Sequence, residues 1–487
     1  MIQPQPILKQ INEPAKQKIR EHYDRVADRR APFRARNRYY YQELIKYLKF
    51  IVPSGKSVLE IGCADGYLLE HLEPSRGIGI DISPAMIEAA RARADRRHLD
   101  HLEFHQADIE ACRCTEQVDF VLMSDVLGTL LDIQQALDNL RSACRDDTRV
   151  IIHYHSILWE PILNVCERIG LKMSQPHHNW LSPSDIDNFL TLSDFELIRF
   201  DRRMLLPQYI PILSTWMNRY VALLPLLNKL CLTNLLVIRK KARQSESRYS
   251  TTIVIPCRNE RGNIRPAIER IPRFGEGQEI IFVDGHSTDG SCEEIEAVIR
   301  ESSDKEIRLL IQPGQGKGDA VRYAFAHAKN DVLMILDADL TVPPEDLPKF
   351  YHAIASRKGE FINGTRLVYP MEREAMRMLN ILGNKFFSVA LSWLLNQPLK
   401  DTLCGTKVLL LRDYQAIARG RNYFGDFDPF GDFDLIFGAA KLNMKILEVP
   451  IRYRERTYGS TNISRFRHGW LLLKMTLFAF RKLKTIR

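Results

Sequence analysis

ILDADLTVPPEDL, residues 335–347, carries an apolar run that begins at Val332 straight into Asp337 and Asp339. In an extended chain alternate side chains share a face, so both carboxylates are expected to point the same way across the small Ala338. Like charges that close repel unless a cation, a metal with its phosphate, or solvent takes up the charge. The bland reading is a solvated turn announced by Pro343 and Pro344. What stands around the stretch decides between the two.

Working outward, short β-branched runs alternate with helical stretches. Strands are expected at 251–256, 279–283, 307–311 and 332–336, and an earlier set at 57–61, 77–80, 119–123 and 149–153. The pattern restarts after RKKARQSESRYS, a charged stretch poor in apolar residues that reads as a linker over 239–250. The expected fold class is therefore α/β, with two doubly wound domains, 1–238 and 251–487, each built on a largely parallel sheet. A length of 487 residues fits more than one domain.

Formal charge is +9, from 69 Lys and Arg against 60 acidic residues, which points to an anionic partner without choosing among nucleotide, lipid and nucleic acid. No nucleic-acid motif accompanies the charge, so no nucleic-acid partner is expected. The nine cysteines are scattered, without a CxxC pair, as expected of reduced thiols. The N-terminal residues carry charge throughout and show no signal-peptide core, and a cytoplasmic location is expected. Apolar stretches at 204–238, 378–399 and 470–480 are each too short or too interrupted by charge or proline for a spanning helix. They allow contact with a membrane surface, above all the basic tail RFRHGWLLLKMTLFAFRKLKTIR, which reads equally well as a packed helix with a basic face.

SVLEIGCADGYLLEHL, residues 57–72, is a strand, a glycine turn and a helix, where Gly62 and Gly66 let the backbone approach a ligand and the helix offers its first amides. The next strand ends at Asp81, placed to accept hydrogen bonds from ribose hydroxyls. The set resembles the class I S-adenosylmethionine-dependent methyltransferases; the GxGxxG spacing of dinucleotide-binding enzymes is absent. The resemblance implies cofactor contacts from Glu60, Gly62, Gly66 and Asp81, from Asp108 and Ile109 of QADIE beside the adenine, and from Tyr23 of the HYDRVA segment. Asp65 stands where many members have glycine. In IIHYHS, His153 and His155 share a face at a strand end, and O-methylation needs a base there; His153 is the candidate carried forward.

The second half holds four stretches in order: TTIVIPCRNERGNI (251–264), EIIFVDGHSTDGS, PGQGKGDAVRYAFAHA and ILDADL. Together they resemble the family 2 glycosyltransferases with the GT-A fold, most closely the branch that transfers hexoses to polyprenyl or dolichol phosphate. The resemblance implies a UDP- or GDP-linked sugar donor held by Pro256, Glu260, Asp284 and Lys317, with Asp337 and Asp339 holding Mg²⁺ or Mn²⁺ on its diphosphate. Gly285 and His286 replace the usual Asp-Gly of that family. A hard divalent cation suits carboxylate oxygens and offsets the charge that a departing diphosphate gains. Further on, KDTLCGTKVLLLR resembles an acceptor-side segment, giving Lys407 an acceptor role, and Arg454, Arg456 and Arg465 of the arginine-rich PIRYRERTYGSTNISRFRHG an anion-binding one, with Arg456 also expected at the catalytic centre. Asp432 and Asp434 are candidate general bases if the acceptor is a glycan hydroxyl; a polyprenyl phosphate already carries its oxyanion and needs cations instead.

The expectation is thus a fused, bifunctional enzyme at the inner face of a membrane, using S-adenosylmethionine and a divalent metal. An alternative keeps a hydroxyl acceptor and makes the first domain a non-catalytic binding or scaffold module.

Overall fold

The central strands of each half are buried along nearly their whole length, as parallel strands inside a sheet must be. The computed structural model describes residues 2–4, 13–176, 178–241, 247–366, 378–424, 433–452, 454, 456, 458 and 465–485. It forms two units, residues 1–241 with 484–487 and residues 242–483.

In the first unit the sheet strands are β1 (Ser57–Ile61), β2 (Arg76–Asp81), β3 (Leu102–Gln106), β4 (Val118–Ser124), β5 (Cys144–His155), β6 (Phe195–Arg203) and β7 (Thr233–Lys240). Their spatial order is β3-β2-β1-β4-β5-β7-β6. The first five pair in parallel, and β7 runs antiparallel to both β5 and β6. Chain order reverses between β1 and β4, and the crevice beyond their carboxyl ends is where open α/β sheets bind ligands. Leu59, Ile61, Val121, Met123 and Ile152 are core residues on these central strands.

Local chemistry sets the helix starts. Pro84 opens the helix Pro84–Arg96 behind Ser83, whose side chain accepts from the Met86 amide. A capping box between Ser182 and Asp185 starts Pro183–Leu192.

The second unit continues with β8 (Ser250–Cys257), β9 (Gly277–Asp284), β10 (Glu306–Ile311), β11 (Val332–Ile335), β12 (Phe361–Thr365), β13 (Lys407–Leu410) and β14 (Ile446–Pro450). The order is β10-β9-β8-β11-β13-β12-β14. The first four pair in parallel, while β13 runs antiparallel to β11 and β12. Ile253, Ile255, Phe282, Met334 and Val408 are in its core.

The eight strands expected from sequence all occur, with ends shifted by a few residues. Among the described residues six more strands of the two seven-stranded sheets, β3, β6, β7, β12, β13 and β14, were not expected. The end of the apolar stretch 204–238 is β7, a sheet-interior strand whose residues Leu235–Ile238 are buried, so its hydrophobicity is that of a core. β7 also takes in Arg239 and Lys240 from the charged joint; Arg239 is buried because its guanidinium pairs with Glu196 at 2.7 Å. No helix among the described residues is long and apolar enough to cross a membrane. In the helix Met378–Leu395, Leu391 and Leu394 are buried while Phe386 and Val389 are exposed. In Arg465–Ala479, Leu472 and Met475 are buried while Trp470, Leu473 and Leu477 are exposed.

The expected geometry of the acidic pair needs one correction. β11 ends at Ile335, so Asp337 and Asp339 sit in the turn beyond it and do not share a strand face. Leu340 there has a φ of +53°, and Asp339 folds back on its own chain, accepting from the Thr341 amide and hydroxyl at 3.2 and 2.8 Å. Such an Asx-type turn satisfies backbone donors that a ladder no longer covers.

Candidate functional sites

A cavity of about 480 Å³ opens beside the carboxyl ends of β1, β2 and β4 in the first unit. Its volume suits a cofactor-sized ligand. Tyr23, Glu60, Gly62, Asp81, Asp108, Ile109 and His153 all line it. Gly66 lies just behind this wall and caps the helix Tyr67–His71.

Both glycines are required by close packing as well as by backbone conformation. Gly62 has a φ of +69°, and a Cβ there would fall 2.0 Å from Val126 Cγ2. Gly66 has a φ of +71°, and its Cβ would meet Phe104 Cζ at 2.7 Å. Glu60 is buried and accepts from the Leu69 amide at 3.1 Å, which ties the glycine turn to the following helix. Burial pushes its carboxyl well above the ordinary range. Asp81 accepts from the Ala64 amide with one oxygen and the Ser83 amide with the other, each at 2.9 Å. Those bonds orient the carboxylate and leave it lone pairs for a diol. Burial raises its pKa against the opposing pull of these two amides.

Several contacts were not legible in the sequence. Lys16 pairs with Asp108 at 3.1 Å and with Glu110, across more than ninety positions of chain. Asp65 is clasped by Arg34 at 2.8 Å and Arg93 at 3.3 Å, and the Arg34 guanidinium lies 3.9 Å from the centre of the Tyr67 ring. The residue that departs from the family pattern is therefore a structural ion-pair centre.

The two histidines sit in different environments. His153 is buried, with Nδ1 3.1 Å from Ser124 Oγ and Nε2 3.3 Å from the Tyr40 hydroxyl. The same hydroxyl lies 3.2 Å from His155 Nε2, and His155 Nδ1 is 3.2 Å from Asp125 Oδ1. Burial alone would raise the Asp125 carboxyl, but His155 outweighs it and holds it far below the usual range. Burial lowers His153 to about 4 from 6.5. Between those values the unfolded chain binds a proton that the folded one excludes, so stability is full above about pH 6.5 and falls toward about pH 4. His153→Gln is expected to flatten the melting temperature against pH in that window. An unchanged slope would contradict the assignment.

In the second unit the named side chains meet at the carboxyl ends of β8, β9 and β11. Lys317, at the start of the helix Lys317–His327, pairs with Asp337 at 2.6 Å. Arg456 donates to Asp339 Oδ2 at 2.8 Å and lies 3.5 Å from Glu260. Burial alone would raise the Asp337 carboxyl, and Lys317, Lys407 and Arg366 outweigh it and bring it below the ordinary value. Glu260 moves the other way, because burial outweighs Arg456. Asp284 is buried; one oxygen accepts from the Ser287 amide at 2.9 Å, and Oδ1 is left without a hydrogen-bond partner. Pro256 occupies the end of β8 beside Cys257, which pairs in register with Asp284.

Lys407 departs from its expected acceptor role. It is fully buried, and its ammonium donates to the Cys404 carbonyl, so it supports Asp337 from inside the fold. Asp401 of the same segment is also fully buried, held by Arg366 at 2.6 and 2.8 Å. Asp434 sits in the first turn of the helix Phe433–Lys441, with Arg421 at 3.2 Å and Arg322 at 4.0 Å. Arg454 is exposed and its amide donates to the Thr341 carbonyl at 3.0 Å, beside the acidic turn. Asp432 and the side chain of Arg465 lie outside the described residues.

The carboxylates of the acidic turn suit a hard divalent ion. Among the described residues no cluster of three or more His, Cys, Asp or Glu could hold a metal by itself. Two protein carboxylates completed by diphosphate oxygens is the arrangement that Mg²⁺ usually takes in nucleotide sites.

Comparison with known proteins follows the same division. The Methyltransferase domain model matches residues 33–199, and the Glycosyl transferase family 2 model matches residues 252–414. The chain is similar to dolichol-phosphate mannosyltransferase of Saccharomyces cerevisiae, 33% identical over 121 residues, covering 24% of this chain and 44% of that one. It is similar to glycosyltransferase AglJ of Haloferax volcanii, 28% identical over 235 residues, covering 48% and 72%. It is also similar to the undecaprenyl-phosphate 4-deoxy-4-formamido-L-arabinose transferase of Edwardsiella ictaluri, 25% identical over 219 residues, covering 43% and 62%. The match thus spans less than half the length of the yeast protein. Among solved structures, the N-methyltransferase NodS of Bradyrhizobium japonicum with S-adenosyl-L-homocysteine aligns at 19% identity and a TM-score of 0.30, covering 41% of this chain and 87% of that one. The chain joins a methyltransferase domain to a glycosyl transferase family 2 domain.

Proposed function

We propose that the second domain transfers a hexose from a UDP- or GDP-linked donor to a polyprenyl phosphate, and that the first methylates a sugar or glycan with S-adenosylmethionine. The observation that carries the glycosyltransferase reading is the ion-pair cluster. Arg456 reaches both Glu260 and Asp339, and Lys317 reaches Asp337, so residues from four separate stretches converge on one point. Asp284, with one oxygen unpartnered, is the residue to receive a donor group of the nucleotide base. A divalent metal bound with the donor would be held by Asp337 and Asp339 and would neutralise diphosphate charge. Lys317, Arg456 and Arg454 supply cations around the same turn.

Two features favour lipid phosphate over a hydroxyl acceptor. Asp434, the described candidate base, is engaged by Arg421 and stands near Arg322. A phosphate acceptor needs no base. Donors with each base, Mg²⁺ or Mn²⁺, and short-chain polyprenyl phosphate present or absent form the direct test. Transfer that needs metal and lipid phosphate together supports the reading. Equal turnover without the lipid would sink it and return attention to Asp434.

In the first domain, Asp81 is the residue for a ribose diol, and the Asp125–His155 pair is better placed than His153 to take a proton from an acceptor hydroxyl. Asp125 Oδ1 lies 3.2 Å from His155 Nδ1, whereas burial keeps His153 neutral and weakly basic. Titration calorimetry with S-adenosylmethionine is expected to show one site, weakened by roughly 10²-fold in Asp81→Ala through loss of charged hydrogen bonds. Absence of binding by the folded wild-type chain would leave the scaffold reading ahead. The proposed setting is the cytoplasmic side of a membrane, with the protein bound peripherally.

A further inference from the structure

We infer that the methyltransferase cavity opens onto an anionic lipid surface, so that its methyl acceptor is an amphiphile such as a lipid-linked sugar. This inference rests on the methyltransferase reading of the first domain. Two segments wall the cavity on one side: Ile157–Arg168, through Trp159, Ile162, Leu163 and Cys166, and the stretch after β6, through Leu206, Pro207 and Gln208. They are fastened together, since Trp159 Nε1 donates to the Leu230 carbonyl at 2.8 Å and the Ser156 amide to the Leu232 carbonyl at 2.7 Å. Asn218 closes the second segment on itself by exchanging hydrogen bonds with the Leu206 backbone at 2.9 and 2.8 Å.

The outer side of these same walls is apolar and exposed. Ile162 both lines the cavity and is half exposed, so the lining runs without a break into the surface. Beside it stand Leu158, Val165 and Ile169, and on the second segment Ile212, Trp216 and Leu226, with Ile212 86% and Leu226 79% exposed. Apolar side chains this exposed, repeated along two segments that wall one cavity, are unusual on a surface that faces only water.

Charge selects the occupant. Residues 202–230 carry Arg202, Arg203, Arg219 and Lys229 and no acidic residue. Arg219 Nε is buried without a hydrogen-bond partner. The companion helix is near neutral: Glu160 and Glu167 stand against Arg168, and Glu167 is tied to Lys172. Arg203 is answered by Asp201 at 3.7 Å, which leaves the apolar anchors beside Arg219 and the exposed Lys229, a combination that matches the interface of an anionic bilayer. Ridges of an ordinary protein partner would bring hydrogen-bond complements for which this surface offers few groups. An acceptor that reaches the Asp125–His155 pair from such a surface would keep its lipid tail in the bilayer and place only its sugar in the cavity.

The test uses the full chain and the variant Ile212→Glu/Trp216→Glu/Leu226→Glu, whose three positions are exposed and outside the cavity lining. Binding to phosphatidylcholine vesicles with and without phosphatidylglycerol is read by co-sedimentation, and quenching of Trp216 by brominated lipid is read against Trp216→Phe. Wild type is expected to prefer the anionic vesicles, with binding about tenfold or more weaker in the variant and quenching lost in Trp216→Phe. Unchanged vesicle binding in the triple variant, or no quenching that depends on Trp216, overturns the proposal. So does a monomer–dimer equilibrium that the variant abolishes while vesicle binding persists, which would make the face an interface between copies. Calorimetry with S-adenosylmethionine runs in parallel. Affinity equal in variant and wild type shows that the cavity is intact, whereas vesicle docking without any cofactor binding overturns the methyltransferase reading and leaves the docking surface standing. With vesicles made from a total lipid extract, label from methyl-tritiated S-adenosylmethionine is expected in the butanol phase; label confined to water-soluble acceptors overturns the amphiphile assignment.

Discussion

Asp337→Asn is expected to remove the proposed hexose transfer almost completely. In the proposed site Asp337 is one of two carboxylates that complement a metal diphosphate, and its loss would forfeit several kcal/mol of transition-state stabilisation, which at about 1.4 kcal/mol per decade is roughly a 10³-fold fall in kcat/KM. The carboxylate also answers Lys317 at 2.6 Å and lies in the field of buried Lys407, so the substitution disturbs local charge as well. Gly405→Ala separates the two effects. A Cβ at Gly405 would fall 1.9 Å from Asp337 Oδ2, so the side chain must move while its charge stays. Both variants are expected to lose transfer, and both are expected to bind Mn²⁺ with the nucleoside diphosphate more weakly by electron paramagnetic resonance. Transfer within tenfold of wild type in Asp337→Asn would remove this turn from the reaction.

The second large effect concerns stability. Asp401 is fully buried and accepts four hydrogen bonds: three from Arg366, through its amide, Nε and Nη2, and one from the Leu403 amide. Asp401→Ala takes its principal carboxylate partner from the largely buried Arg366 guanidinium, a change that costs about 3–5 kcal/mol. Against a typical domain stability of roughly 5–15 kcal/mol this is a large share, and at about 2–4 °C per kcal/mol it is expected to lower the melting temperature of the second domain by roughly 6–20 °C. Calorimetric melting of the full chain is expected to show the loss in one transition, with the methyltransferase transition unmoved. Arg366→Met/Asp401→Leu is expected to recover part of it, because an apolar pair of similar size carries no desolvation penalty. Should Asp401→Ala melt like wild type, the pair contributes nothing to folding.

These two cases show why some site residues could be placed from sequence and others could not. Glu60, Gly62, Asp81, Asp284 and Asp337 lie at or just beyond strand ends, where hydrophobic periodicity locates the strand and the next polar residue marks the binding edge. The burial of Lys407, expected at the acceptor, and of Asp401 could not be read because a motif carries no information about burial. A lysine and an aspartate look solvent-bound in a sequence, and only packing shows that each meets a buried partner. His153 and His155 were indistinguishable by spacing, since both project from one strand face. Asp125, on the neighbouring strand end, separates them.

By itself the sequence determined the two α/β halves, the eight strands that head them and the glycine turn. Each depends on the nearest few residues, through period-two hydrophobicity, positive-φ glycine and the polar residue at a strand end. The tertiary structure alone decided which charges answer one another: Lys16 with Asp108, Arg34 with Asp65, Arg456 with Asp339 and Arg366 with Asp401. Those pairs join residues from 31 to 117 positions apart. Their strength depends on distance and burial, which a linear order of residues does not specify.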